Sequence, residues 1–152
     1  MMTFQRGDIV LVPFPFTDLT RPKVRPAVVV SPSSFNRTSL DIMLAAISSR
    51  IPPTSADTEL IIRQGSADFR TTGLRVSSVI RATKLITMQQ TLISATLGRL
   101  SNHHIDELDI RLARAIGLPT LSEAIAARQA AEARIAALTI RVRDLEQQVA
   151  AG

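Results

Sequence analysis

Cysteine is absent from this 152-residue chain. That single absence excludes disulfides, thiolate metal sites and cysteine nucleophiles. Tryptophan and tyrosine are absent too, so no indole or phenol ring can form a platform for stacked bases. Histidine is reduced to the adjacent pair His103 and His104. Neighbours on a helix point about 100° apart, which makes a poor metal clamp and a poor acid–base pair. Both histidines read as exposed helix residues, and no metal centre or cofactor is expected. No apolar run approaches the roughly 20 residues that span a bilayer. Asp8 arrives before any long apolar stretch, unlike a secretory signal. The expectation is a cytoplasmic protein with no membrane attachment. A chain of this length buries enough surface to fold without a covalent staple.

What is present is arginine. Sixteen of the eighteen basic residues are arginine, and the net charge is +5. The excess lies entirely in residues 1–118, which hold fourteen basic and nine acidic side chains; residues 119–152 hold four of each. Arginine offers a planar five-donor fork suited to phosphate, whereas lysine is a point charge. A basic, arginine-biased body fits a nucleic acid or an acidic protein as partner. A coding bias towards arginine with ordinary solvation gives the same composition.

Residues 1–86 read as short strands broken by punctuation. Ile9–Val12 is apolar at every position and stops at Pro13 and Pro15, as a strand buried on both faces would. Phe16–Val24 has loop chemistry. Ala27–Val30, Leu40–Ser48 and Glu59–Ile62 are further strands, with Pro52-Pro53 forcing a loop between the last two. Val76–Arg81 and Lys84–Ile86 read as the last strands. Five or six strands at this spacing predict a small barrel or sandwich.

From Thr87 the period becomes helical. Thr87-x-x-Gln90 fits a capping box for a short helix. Ser101 fits the cap of a second, whose Ile105, Leu108, Leu112 and Ala115 share a face closed by Gly117 and Pro119. Thr120-x-x-Glu123 opens a tail without proline or internal glycine. Leu121, Ala124, Arg128, Ala131, Ile135, Leu138, Val142, Leu145 and Val149 alternate spacings of three and four, a heptad seam broken only at Arg128. The chain therefore divides into a mainly β domain at 1–118 and a helical, coiled-coil-patterned tail at 119–152.

The segments Arg6-Gly7-Asp8-Ile9-Val10-Leu11-Val12-Pro13-Phe14-Pro15-Phe16-Thr17-Asp18 and Lys23-Val24-Arg25-Pro26-Ala27-Val28-Val29-Val30-Ser31 resemble the MazF/PemK family of toxin endoribonucleases. Leu44–Ser49, Thr72-Gly73-Leu74 and Leu97–Ser101 resemble later blocks of that family, so the likeness spans about residues 4–118. It implies an SH3-like barrel with short helices, paired as a homodimer. It implies metal-independent cleavage of single-stranded RNA. It also implies a cognate antitoxin with an acidic tail. The C-terminal helix lies outside the resemblance and offers a route to higher oligomers.

Metal-free RNA cleavage uses the substrate's own 2′-hydroxyl as nucleophile. It leaves a 2′,3′-cyclic phosphate and a 5′-hydroxyl. With no histidine in the barrel, positive charge and hydroxyls must carry it. Arg25 matches the family's catalytic arginine. Ser48 stands where the family usually has threonine, and a shift of one residue would put Ser49 there instead. Arg21 and Lys23, in the loop over the groove, are expected phosphate contacts. Here Arg21-Pro22 departs from the glycine of many relatives. Ser49, Arg50, Arg81 and Lys84 are expected to touch RNA from strand ends. Phe14 and Phe16 fit either base stacking or core packing. The alternative is a binding module like the gyrase-poisoning CcdB toxins, which share the fold and cut nothing. A decayed toxin that only binds is a third reading.

Overall fold

The computed structural model describes residues 3–14 and 23–152. Six strands, β1 (Asp8–Phe14), β2 (Lys23–Val29), β3 (Asp41–Ser48), β4 (Glu59–Ile62), β5 (Ser78–Gln89) and β6 (Ala95–Arg99), form one sheet. Their order is β4-β5-β3-β2-β1-β6 and every pairing is antiparallel. The sheet curls into a half-barrel, accompanied by the helices α1 (Ser33–Thr38), α2 (Asn102–Ala115) and α3 (Leu121–Ala150).

The apolar runs in β1 and β2 are explained by cover on both sides of the sheet. Alternate residues point to opposite faces, and the register sorts them into two clusters. On one face Val10, Val12, Phe14, Ala27, Val29, Leu44 and Ala46 pack with Phe4 and Met88. On the other Ile9, Val28, Ala45, Ile47, Leu60 and Ile80 pack with Leu100 and Leu108. Each fully buried valine, leucine or isoleucine among them contributes roughly 1.5–3 kcal/mol. Phe14 belongs to the first cluster and is buried, so it is core and not a stacking platform.

Two expectations are corrected here. Val76–Arg81 and Lys84–Ile86 are parts of one strand, β5, which bends at an irregularity opposite Ala45 and Ala46 and continues to Gln89. Thr87 therefore pairs with Met43 in the sheet and caps no helix; a twelve-residue strand paired along β3 outweighs a local capping signal. A short 3₁₀ turn follows at Gln90–Leu92.

The second correction concerns histidine. His103 is exposed as expected, but His104 is buried at 6 % exposure, one turn before the buried Leu108. Its Nδ1 lies 3.2 Å from Asp68 Oδ2, and Ser101 Oγ donates to the same carboxylate oxygen at 2.5 Å. Ser101 Oγ also accepts from the His104 backbone N–H, which makes it the N-cap of α2. The Ser101 hydroxyl holds the Asp68 carboxyl below its ordinary range, against the cost of burial, and His104 adds to the effect. The cluster ties the loop between β4 and β5 to the start of α2. It lacks the serine-to-imidazole bond of a nucleophilic triad.

The chain divides into two compact units, Met1–Gly117 and Leu118–Gly152. The second is α3 with its flanks. Its capping box is formed: Thr120 Oγ1 accepts from the Glu123 N–H, and Glu123 Oε2 accepts from the Thr120 N–H. At 30 residues α3 is roughly 45 Å long, and none of its residues is buried. Among the described residues no helix is long and apolar enough to cross a membrane.

Candidate functional site

The apolar face that ends in Ala27 on β2 and Ala46 on β3 turns polar at the next positions. Along β2 the side chains on this face run Val29, Ala27, Arg25, Lys23, from buried through half-buried to exposed. Along β3 they run Ile42, Leu44, Ala46, Ser48, the first three buried and the last half-buried. The two strands pair as Ala27 with Ala46 and Val29 with Leu44. Continuing that register by two residues sets Arg25 level with Ser48, on the same face of neighbouring strands. Side chains so placed have Cβ atoms about 5 Å apart.

The adjoining strands complete the row. Arg25 pairs with Val12 of β1 and Lys23 with Phe14, so the stems of both cations stand beside core side chains. Ser48 pairs with Val79 of β5, and Arg81, two residues on, pairs with both Ala46 and Glu59. Arg81 thus lies diagonal to Ser48 on one face, a separation of roughly 7–8 Å between backbones. Its Nε is buried without a hydrogen-bond partner, while Nη2 donates to the Arg50 carbonyl at 3.4 Å. Ser48 Oγ accepts the Arg50 backbone N–H at 3.1 Å, which fixes the strand end and leaves the hydroxyl proton to be donated.

The expected residues are therefore distributed as follows. Arg25, Ser48, Arg81 and Lys23 share one face at one end of the sheet. Ser49 and Arg50 follow in the exposed turn after β3. Ser49 is one residue beyond Ser48, so the register gives the face shared with Arg25 to Ser48. Lys84 lies in the bend of β5, between the stretches that pair with Ala46 and Ala45, and is half-buried. Arg21 and Phe16 lie outside the described residues. Glu59 was not visible from sequence. It is 22 positions from Arg81, and only the β4–β5 register makes them cross-strand partners. An acidic residue opening an otherwise apolar four-residue strand was the available signal.

Chemically the arrangement joins two guanidinium groups and a hydroxyl at the rim of an apolar sheet face. Guanidinium forks bind phosphate oxygens in pairs. Low-dielectric surroundings strengthen such contacts.

Comparison with known proteins agrees with this architecture. The family model described as PemK-like, MazF-like toxin of type II toxin–antitoxin system matches residues 5–116. Among curated proteins no sequence gives a significant match. Among solved structures, an endoribonuclease in complex with its cognate antitoxin from a mycobacterial species superposes with TM-score 0.62 at 20 % identity, covering 77 % of this chain and 98 % of that one. MazF from Deinococcus radiodurans gives 0.61 at 19 % identity, over 78 % and 100 %. A MazE–MazF complex from the same organism gives 0.58 at 18 %, over the same shares. At these identities the likeness is one of fold; the family match ends at residue 116, before the C-terminal tail. On the family match across residues 5–116, the chain belongs to the PemK-like, MazF-like toxins of type II toxin–antitoxin systems.

Proposed function

We propose that this toxin is an endoribonuclease that cleaves single-stranded RNA without a metal ion, with Arg25 and Ser48 as catalytic residues. The observation that supports the reading is the β2–β3 register, which ends at Ala27 and Ala46 and, continued by two residues, sets Arg25 level with Ser48, with Arg81 diagonal to Ser48, where the sheet face turns polar. The RNA 2′-oxygen attacks the adjacent phosphorus and loses its proton. The bond from phosphorus to the 5′-oxygen breaks, and that oxygen gains a proton. Arg25 grips two non-bridging oxygens and stabilises the charge that grows on the phosphorane. Ser48 donates a hydrogen bond to the same group or to the leaving oxygen. Arg81, Lys23, Arg21, Arg50, Ser49 and Lys84 hold the flanking backbone as positive and hydroxyl contacts.

A digest of RNA by purified protein in excess chelator tests this. The expected products carry 2′,3′-cyclic phosphate and 5′-hydroxyl ends. Loss of cutting in chelator, or 5′-phosphate ends, overturns the mechanism.

The partner proposed for the same body is an antitoxin with an acidic segment that competes for the cationic face, and the body is proposed to work as a homodimer in the cytoplasm. The excess of five positive charges in residues 1–118 supports the acidic partner. Binding is expected to weaken between about 0.05 and 0.5 M salt, as screening lengths fall below roughly 10 Å. Titration calorimetry at the two salt concentrations reads it, and an unchanged Kd would point to an apolar interface instead.

A further inference from the structure

We propose that α3 pairs with α3 of a second copy of this chain as a parallel, in-register two-stranded coil over residues 131–149. The helix is continuous from Leu121 to Ala150, buries none of its residues and forms a unit with no core of its own. With Leu121 at heptad position a, Ile135, Val142 and Val149 also fall at a, and Leu138 and Leu145 at d. β-Branched residues at a with leucine at d favour two parallel strands. Val142, Leu145 and Val149 already line an apolar groove beside Glu146.

Charge selects the orientation. In the parallel coil Arg141 at g meets Glu146 at e of the second copy, and the two-fold axis forms the pair twice. An antiparallel coil that keeps Val142 against Leu138 would set Glu132 against Glu146 twice along one flank and Arg141 against itself on the other. Like charges so placed oppose association. The one break in the seam is also accounted for. Arg128, at position a, donates from Nε to Glu132 Oε1 at 2.9 Å within its own helix, and it precedes residue 131, so the paired segment does not place it in the seam against its own copy. Ala124 and Ala131 bury little, which limits the strong contact to the C-terminal half. Ile140 falls at f, away from the seam, and stays exposed in this pairing.

The absence of native cysteine makes the test direct. In the full-length protein, Val142→Cys and Leu138→Cys should each form a disulfide-linked dimer under mild oxidation, because identical a or d residues face one another across a parallel coil. Ile140→Cys serves as the background, and the seam variants should cross-link roughly tenfold faster or more. Adding Arg141→Glu to Val142→Cys should slow cross-linking, and adding Glu146→Arg to that variant should restore it. Circular dichroism checks that helicity is retained. Cross-linking no faster than Ile140→Cys overturns the proposal. Cross-linking confined to a mixture of the Val142→Cys and Leu138→Cys proteins overturns the parallel orientation, and with it the proposed assembly. RNA cleavage is a separate readout, since no α3 residue belongs to the proposed catalytic face.

Discussion

Arg25→Ala is expected to lower the rate of RNA cleavage by about 10²–10³, the loss found when one preorganised charge-stabilising donor is removed from a transition state. The fold should survive the change. Arg25 lies one alternate position beyond Ala27, where burial on this face of β2 ends, and its side chain is half-buried. Truncation therefore opens no enclosed cavity. Arg25→Lys should recover part of the rate, because it keeps the charge and loses the two-point grip. Ser48→Ala should cost less, about tenfold, since water can replace a single neutral donor at a half-buried position. Single-turnover cleavage with circular dichroism on each variant reads the series. Near-wild-type cleavage by folded Arg25→Ala would remove Arg25 from the catalytic role. A larger loss in Ser49→Ala than in Ser48→Ala would contradict the register that places Ser48 on the Arg25 face.

That register marks the boundary of what the sequence could say. The runs Ile9–Val12 and Ala27–Val30 announce strands by composition, and Thr120 with Glu123 announces a helix start by spacing; these are local signals. β6 has none. Its sequence ATLGR holds a glycine and alternates weakly, and it becomes a strand because β1 offers it a ladder. Thr87 shows the reverse, a local cap overridden by pairing with β3. His104 looked like a surface residue because its burial depends on Asp68, 36 positions away, reached only when the β4–β5 loop folds onto α2. At the site, each cation was visible singly. Their sharing of one face was not, because a register error of one residue sends a side chain to the opposite side of the sheet.

The loop that buries His104 also sets the largest expected change in stability. Its 3₁₀ turn, Arg70–Thr72, lies directly on β6, and Thr72 is fully buried. Thr72 Oγ1 donates to the Phe69 carbonyl and accepts from the Leu74 N–H, so the turn is held rigidly. Gly98 faces it. A Cβ at Gly98 would run into the Thr71 carbonyl oxygen and stand 2.6 Å from the Thr72 carbonyl carbon. Both obstacles are backbone, so neither can swing aside as a long side chain would. Gly73 meets the Leu97 backbone from the opposite direction, with φ at +69°, so each glycine lets the other segment approach. Gly98→Ala must separate the turn from β6. That would loosen the contacts of Phe69, Leu74 and Leu97 with the second apolar cluster. The expected cost is about 3 kcal/mol, the upper end for overpacking a well-filled site. Thermal unfolding should fall by roughly 6–12 °C at this chain length. Gly65 lies in the same loop and has nothing within 4 Å of its would-be Cβ. Gly65→Ala should therefore stay within about 0.5 kcal/mol of the parent. The contrast separates a steric cause from a general intolerance of the loop. Equal melting temperatures for the two variants would show that β6 and the turn yield to one another. Because Gly98 stands level with Ile9 and Val28, whose side chains lie on the face of the sheet opposite to that of Arg25 and Ser48, Gly98→Ala protein held well below its melting point should still cut RNA at close to the parent rate.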